Sequence, residues 1–433
     1  YFVSFAGSMA TSFFFTACQQ PTTSSEKAPL SEARWRMPGA FEPQDAVWMA
    51  LNNVQHLADE NNEEVIAQII RAIIETTPVK LIVKNDSALN VIKPKLPAEA
   101  FTNGKIKVIK MDYQEFWVRD MGPSYLVDGK GGKKMVDMNF NTWGYIPDTT
   151  DVFAELDETV DERIAKMEGL PLVSTGMISE GGNHEFNGKG VMLVVAQSDQ
   201  SRNPNLTLDQ MAAIYKKKYN LKKVIWLKKG VLEDEHTFNG PITGPNGQKV
   251  YTVVTTNGHI DEHVRFIDAQ TIAVAEVDPS DLDDPIAVEN KKRIDENLEI
   301  LKNATDQDGK PFKIVRMPMP RSIIRMQKPG DGTYDYIATM DYQKTGIPFP
   351  VGKQVATVAA SSYLNFLITN GLIIAQKFYR TGMDPVLKQR DEQSKKQLES
   401  LFPGRKVIQI DALAINFGGG GIHCITKQEP ASK

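Results

Sequence analysis

The chain has 433 residues, 41% of them apolar and 24% charged, with a formal net charge of −4. These proportions fit a soluble globular protein with a large core, and the mild negative charge argues against nucleic acid as a main partner, because phosphate binding wants a basic face. Two cysteines, Cys18 and Cys424, do not make a disulfide framework in so long a chain.

Residues 1–17 are apolar and small, carry no charge, and lead into Cys18. The stretch is shorter than the roughly 20 apolar residues of a membrane-spanning helix and reads as the apolar and cleavage regions of a secretory signal. Phe15-Thr16-Ala17-Cys18 resembles a bacterial lipobox, whose cysteine is lipidated and becomes the new N-terminus, although Phe15 stands where leucine is usual. Residues 19–34, rich in Ser, Thr and Pro, read as a flexible tether. The expectation is an exported lipoprotein, periplasmic or at the cell surface, attached to the membrane through Cys18. Simple secretion and an ordered N-terminal element are the alternatives.

From about Arg34 strand-like and helix-like segments alternate. Val79–Val83, Ile106–Ile109, Met192–Ala196, Lys223–Leu227, Tyr251–Thr255 and Thr271–Val277 are short apolar or β-branched runs. Between them Glu63–Thr76 has helical spacing. Thr207 with Gln210 forms a capping-box signature, and Asp384-Pro385 offers an N-cap with proline in the first turn of a helix ending near Phe402. Strands alternating with helices of this length predict an α/β fold. The helix-free stretch 223–277 predicts a meander with turns at Asn246-Gly247, Asn257-Gly258 and Asp268, so the sheet is not purely parallel. Residues 317–355, rich in Pro, Gly and charge, predict an irregular loop over one face. The sequence carries no repeat of fixed period.

Four segments hold residues suited to chemistry. Cys424 follows four glycines, Gly418 to Gly421, and a glycine run makes sense where backbone passes close to something. The cysteine is a candidate nucleophile or, as most free cysteines are, a buried structural residue. His423 is expected on the opposite face, because neighbours on an extended strand diverge. His259 and Asp261 fall on one face of a strand and suit a proton shuttle beside a cation-holding carboxylate. A metal pair of His259 with His263 or a structural histidine are the alternatives. Trp117, Arg119 and Asp120 precede a Gly122-Pro123 turn, where a surface ion pair is the alternative, and Glu180 precedes a glycine turn, where a solvated loop carboxylate is the alternative. Together they fit one reaction. A guanidinium carbon is poorly electrophilic and calls for a soft nucleophile, carboxylates that grip the planar cation, and an acid/base that protonates departing ammonia and then activates water.

These segments, with MPGAFEPQDAVWMA at 37–50, resemble the agmatine deiminase and Porphyromonas-type peptidylarginine deiminase family from Met37 to about Lys427. The most specific pieces are WVRDMGP at 117–123, EGGN at 180–183, GHID at 258–261 and GGGGIHC at 418–424. Ser362 to Phe366 is similar to a further family segment. The resemblance implies a pentein fold, a five-bladed pseudo-symmetric α/β propeller of ββαβ units, as a single catalytic domain over 35–428 with a tail at 429–433. It implies Cys424 as nucleophile, His259 as general acid/base, Asp120 and Asp261 as the guanidinium clamp, and Glu180 beside His259 or the substrate. Trp117, Arg119, Asn365 and Gly420 are further expected substrate contacts. No metal or organic cofactor is expected. The implied reaction is hydrolytic deimination of agmatine, of peptidyl or C-terminal arginine, or of another guanidine, with ammonia released through a covalent thiouronium. Leu51-Asn52-Asn53 replaces the usual tryptophan-proline, and Glu262-His263 stands where many agmatine enzymes carry asparagine. Both departures leave the non-reacting half of the substrate open. An amidinotransferase on the same scaffold and a non-catalytic arginine-binding lipoprotein are the rival readings. The oligomeric state stays open.

Overall fold

In a computed structural model of the chain the described residues are 35–51, 62–146, 151–342 and 346–433. Cys18, the signal-like segment and the tether lie outside them. Five times over, the chain builds the same unit: two antiparallel strands, a helical crossover, and a third strand parallel to the second.

One unit pairs Ser124–Val127 with Lys133–Asp137 and returns through two helices to Leu172–Ser174. The next runs Glu185–Phe186, Val191–Val195, two helices, Lys223–Leu227. Val264–Phe266 and Thr271–Glu276 follow, with the helix Pro285–Asn303 leading to Lys313–Pro318. Leu367–Thr369 and Leu372–Lys377 use the helix Pro385–Leu401 to reach Lys406–Asp411. The remaining blade joins the two ends of the domain. Its strand Gln44–Ala50 pairs antiparallel with Lys427–Pro430 and, across the helix Asn62–Ile73, parallel with Val79–Val83, which Ile106–Lys110 extends. This is the pentein propeller. Lys427–Pro430 packs on Ser124–Val127, and Val264–Phe266 on Glu185–Phe186, so first strands face one another around the axis.

Local chemistry explains the units. Middle strands such as Val191–Val195 are buried along their whole length, as strands covered on both faces must be, and are made of β-branched and long aliphatic residues. The helix Leu208–Lys218 begins with the expected capping box, Thr207 and Gln210 satisfying each other's backbone. Asp284 and Asp384 cap helices that carry proline in their first turn.

Two expectations are corrected. The stretch 223–277 is not one meander. Lys223–Leu227, Lys249–Thr252 and Val264–Phe266 belong to three different sheets. Asn246-Gly247 does turn the hairpin between Ile242–Thr243 and Lys249–Thr252, both residues at positive φ, whereas Asn257-Gly258 leads into His259 and not into a strand partner. The segment 317–355 is not wholly irregular either. It contains the strand Ile324–Gln327 and the helix Gly332–Ile337. That strand completes a sixth, four-stranded sheet with Val355–Val358, Lys249–Thr252 and Ile242–Thr243, outside the five repeats. The polar, glycine-rich composition hid it because its strands are short and its two halves, Lys249–Thr252 and Val355–Val358, meet across about a hundred residues of chain.

Candidate active site

Each blade delivers side chains from the few residues ahead of its first strand. Asp120 precedes Ser124–Val127, Glu180 precedes Glu185–Phe186, His259 and Asp261 precede Val264–Phe266, Asn365 precedes Leu367–Thr369, and Cys424 precedes Lys427–Pro430. Because the first strands ring the axis, five stretches far apart in sequence meet there.

The local geometry differs from the extended strands expected. Asp120 sits in the short helix Val118–Met121, and Gly181–Asn183 and Ile260–Glu262 are single 3-10 turns. Residues 422–425 form a turn, so His423 and Cys424 are not forced to opposite faces. The glycines make room. A Cβ on Gly182 would stand 2.5 Å from His259 Nδ1 and 2.9 Å from Asp120 Oδ1. One on Gly420 would stand 2.8 Å from the Trp117 ring and 3.0 Å from Cys424 Sγ, and Gly419, at φ +116°, would collide with the Val254 carbonyl.

The sulfur of Cys424 lies 3.1 Å from Asn365 Nδ2 and 3.8 Å from Asp261 Oδ2. Burial pushes its thiol well up, and Asp261, Glu262 and Asp120 push it further. His259 places Nε2 3.3 Å from Glu180 Oε2 and Nδ1 3.8 Å from Asp120 Oδ1. Burial works against its charge, but Asp120 and Glu180 outweigh that and raise it to about 10. Glu180 in turn is held at about 2, against its own burial, by Arg202, whose Nε donates to Oε1 at 2.7 Å. Asp120 accepts from Gly182 N–H at 2.7 Å and from the Trp143 indole at 2.8 Å. Asp261 accepts from His423 Nδ1 at 2.7 Å, and its other oxygen has no partner among the described residues. Burial raises Asp261 to about 7, with His259 pulling the other way.

Cys424, His259, Asp120, Asp261, Glu180, Asn365, Trp117 and Gly420 therefore converge in one buried cluster. Arg119 does not join them. Its Nε donates to the His423 carbonyl and its Nη2 to Gln428 Oε1, which turns the guanidinium to the far side of the chain. This follows from the helical turn at 118–121, where neighbours diverge by about 100°. The His259–His263 metal pair is not formed, since His263 Nε2 lies 3.2 Å from Asn297. Among the described residues, Asp261, Glu262 and Cys424 bring donor atoms within 4.8 Å of one another, an arrangement that also suits an organic cation.

Sequence reasoning missed five residues. Asp234 collects the N–H groups of Thr256, Gly258 and His259, the last at 2.7 Å, and so fixes the histidine's backbone. Arg202 and Trp143 hold Glu180 and Asp120. Glu262, buried and pushed well up by that burial and by Asp261, accepts from Asn365 Nδ2 at 2.8 Å. His423 orients Asp261. Asp234, Arg202 and Trp143 sit in none of the glycine-flanked motifs, whereas His423 lies within one beside Cys424 and Glu262 adjoins another after Asp261, and neither position revealed its role.

Comparison with known proteins adds to this geometry. The family model described as Porphyromonas-type peptidyl-arginine deiminase matches residues 36–242 and 246–430. A Streptococcus mutans protein provisionally named agmatine deiminase is 31% identical over 404 residues, covering 92% of this chain and 96% of that one. The agmatine deiminase of Pseudomonas syringae is 28% identical over 403 residues, with the same coverage. The solved agmatine deiminase of Enterococcus faecalis superposes with a TM-score of 0.72 at 25% identity, covering 92% of this chain and 96% of that one.

Proposed function

This chain belongs to the Porphyromonas-type peptidyl-arginine deiminase family and is a hydrolase of guanidino C–N bonds, and from that premise we propose that Cys424 is its nucleophile and a slender guanidine such as agmatine its substrate. The convergence of Cys424, His259, Asp120 and Asp261 in one buried cluster carries the reading. The agmatine assignment rests on the names of the relatives and on the depth of Cys424, a residue 6% exposed, which suits a narrow, unbranched chain.

In this mechanism the cation lies between Asp120 and Asp261, whose unpartnered oxygen accepts one of its N–H groups. Each such charge-assisted bond contributes about 1.5–3 kcal/mol. The thiolate attacks the guanidinium carbon and forms a C–S bond. His259, already charged, gives its proton to the departing amino group, which leaves as ammonia. Neutral His259 then takes a proton from water as the water attacks the thiouronium carbon, and the C–S bond breaks to release the ureido product. Holding His259 high suits the first step, in which it acts as the acid.

Ammonia release is to be measured on agmatine, free arginine, and peptides with internal or C-terminal arginine, for the wild type and Cys424→Ala. We expect release from agmatine by the wild type only. Release by the alanine variant sinks the nucleophile assignment, and preference for a peptide sinks the substrate assignment.

A further inference from the structure

The Asp120–Asp261 clamp grips only one end of a molecule such as agmatine. Beyond the guanidinium lie four methylenes and a second positive charge. Six bonds separate the guanidinium carbon from that terminal nitrogen, the length of two residues of extended backbone, or roughly 7 Å. A charge carried that deep needs a partner of opposite sign.

Trp117 leads from the sulfur to a carboxyl that suits this end. A Cβ on Gly420 would stand 2.8 Å from the Trp117 ring and 3.0 Å from Cys424 Sγ, so the indole and the sulfur flank one glycine. Two residues ahead of Trp117 stands the buried Glu115. Its Oε2 has no hydrogen-bond partner among the described residues, and no lysine or arginine among them pairs with it. Burial and the neighbouring Asp157 push its carboxyl up to about 8, while the Tyr336 hydroxyl and the Trp117 indole favour its charged form. Asp157 is committed to the backbone. It accepts from the N–H groups of Gln114 at 2.7 Å and Glu115 at 3.1 Å, and so fixes the stretch that carries Glu115. Tyr336, in the helix Gly332–Ile337, is partly exposed. Glu115 thus has on one hand the indole that borders the sulfur and on the other a side chain that reaches the surface. A buried carboxyl oxygen without a partner calls for an explanation, and a cation arriving with the substrate supplies one, because a positive neighbour favours the charged carboxylate against burial.

We propose that Glu115 determines specificity at the far end of the substrate, its carboxylate binding the terminal ammonium of an amino-alkyl guanidine whose methylenes lie along the Trp117 indole. The inference rests on the guanidine reading above and names the half of the substrate which that reading leaves open. The lengths agree: with the guanidinium carbon at the sulfur the chain passes one indole, and the two residues of backbone between Trp117 and Glu115 span at most the same roughly 7 Å. The charges agree as well, since an ammonium–carboxylate bond is stronger in a site shielded from water than at the surface. Arginine differs from agmatine by a carboxylate on the carbon that bears the amino group. That carboxylate would fall against Glu115 and Asp157, so the pair that attracts an amine repels an amino acid.

The test compares guanidines that differ only at this end: agmatine, n-butylguanidine, which has the same four carbons and no amine, and the amine with five methylenes. For the wild type we expect kcat/KM on agmatine to exceed that on n-butylguanidine by about 10–100-fold, with the difference in KM. Glu115→Gln should lose this advantage, its kcat/KM on agmatine falling towards that on n-butylguanidine. Glu115→Asp keeps the charge but draws it back by one methylene, and its preference should move to the five-methylene amine. This variant decides in place of Glu115→Gln if the glutamine protein does not fold. A wild type that handles agmatine and n-butylguanidine alike overturns the assignment of Glu115 and leaves the functional reading standing. So does a Glu115→Gln that loses activity on both by the same factor, which is what a purely structural carboxyl would give, or a Glu115→Asp that keeps the wild-type order of chain lengths. A wild type silent on every guanidine overturns both.

Discussion

His259 keeps its proton because two carboxylates outweigh the burial that would remove it, and one of those carboxylates is itself kept charged by Arg202. This has a consequence for stability. The folded-state value of about 10 lies above the unfolded value of about 6.5. The histidine's contribution is therefore present in full below about pH 6.5 and is lost as pH rises through about 10. Glu180 behaves oppositely: with its folded value at about 2, its contribution is present above its unfolded value and is lost only in strong acid. Melting temperatures of the wild type and His259→Gln, taken from pH 6 to pH 10, should draw together as pH rises. A gap that stays constant over that range contradicts the ion-pair account of His259. The same residue scale explains why Arg119 was misplaced. In the motif at 117–123 it stands next to Asp120, but a helical turn separates the two side chains, and the arginine serves the back of the site.

At the scale of elements, the crossovers are stabilised by signals that are entirely local. Asp384 accepts from Val386 N–H at 2.9 Å, and Pro385 fills the first turn of the helix Pro385–Leu401. Asp384→Ala should cost about 1 kcal/mol, read as a lower midpoint in urea with an unchanged slope and unchanged turnover, because the cap is exposed. A change in turnover would mean that this helix end communicates with the axis. The turns that carry the site behave differently. Gly181–Asn183 and Ile260–Glu262 are too short to be stable alone, and their shape comes from what they touch: Asp120 takes Gly182 N–H, and Asp234 takes the N–H groups leading into His259.

For the whole molecule the critical event is ring closure, since the first blade is assembled from both ends of the domain. Glu429, in the closing strand Lys427–Pro430, accepts from Lys133 at 2.6 Å and from the Trp48 indole at 3.1 Å, and also binds Lys80. Burial works against its charge, but the two lysines outweigh that and hold its carboxyl low. Glu429→Ala removes one of the two acceptors of each of these donors, leaving Lys80 with Glu168, Lys133 with Asp45 and the indole with the Tyr125 hydroxyl. We expect a loss of about 1.5–3 kcal/mol, measured by denaturant unfolding, with little change in KM for the protein that remains folded. A stability near wild type would show that the strand pairing alone closes the ring.

The amino-acid order by itself determined the crossover helices, the middle strands and the glycine-flanked motifs, because each depends on periodicity, capping or backbone freedom within a few residues. Val79–Val83 and Lys223–Leu227 fall where their composition placed them. It also carried the likeness that marked Cys424, His259, Asp120 and Asp261. Tertiary structure alone decided which residues support them. Asp234, Arg202, Trp143 and His423 earn their positions from partners 20 to 160 residues away, and the sixth sheet joins strands from two separate stretches of chain. Charge and hydrogen bonding act through space, so a residue whose only signal is its distant neighbour is silent until the ring has closed.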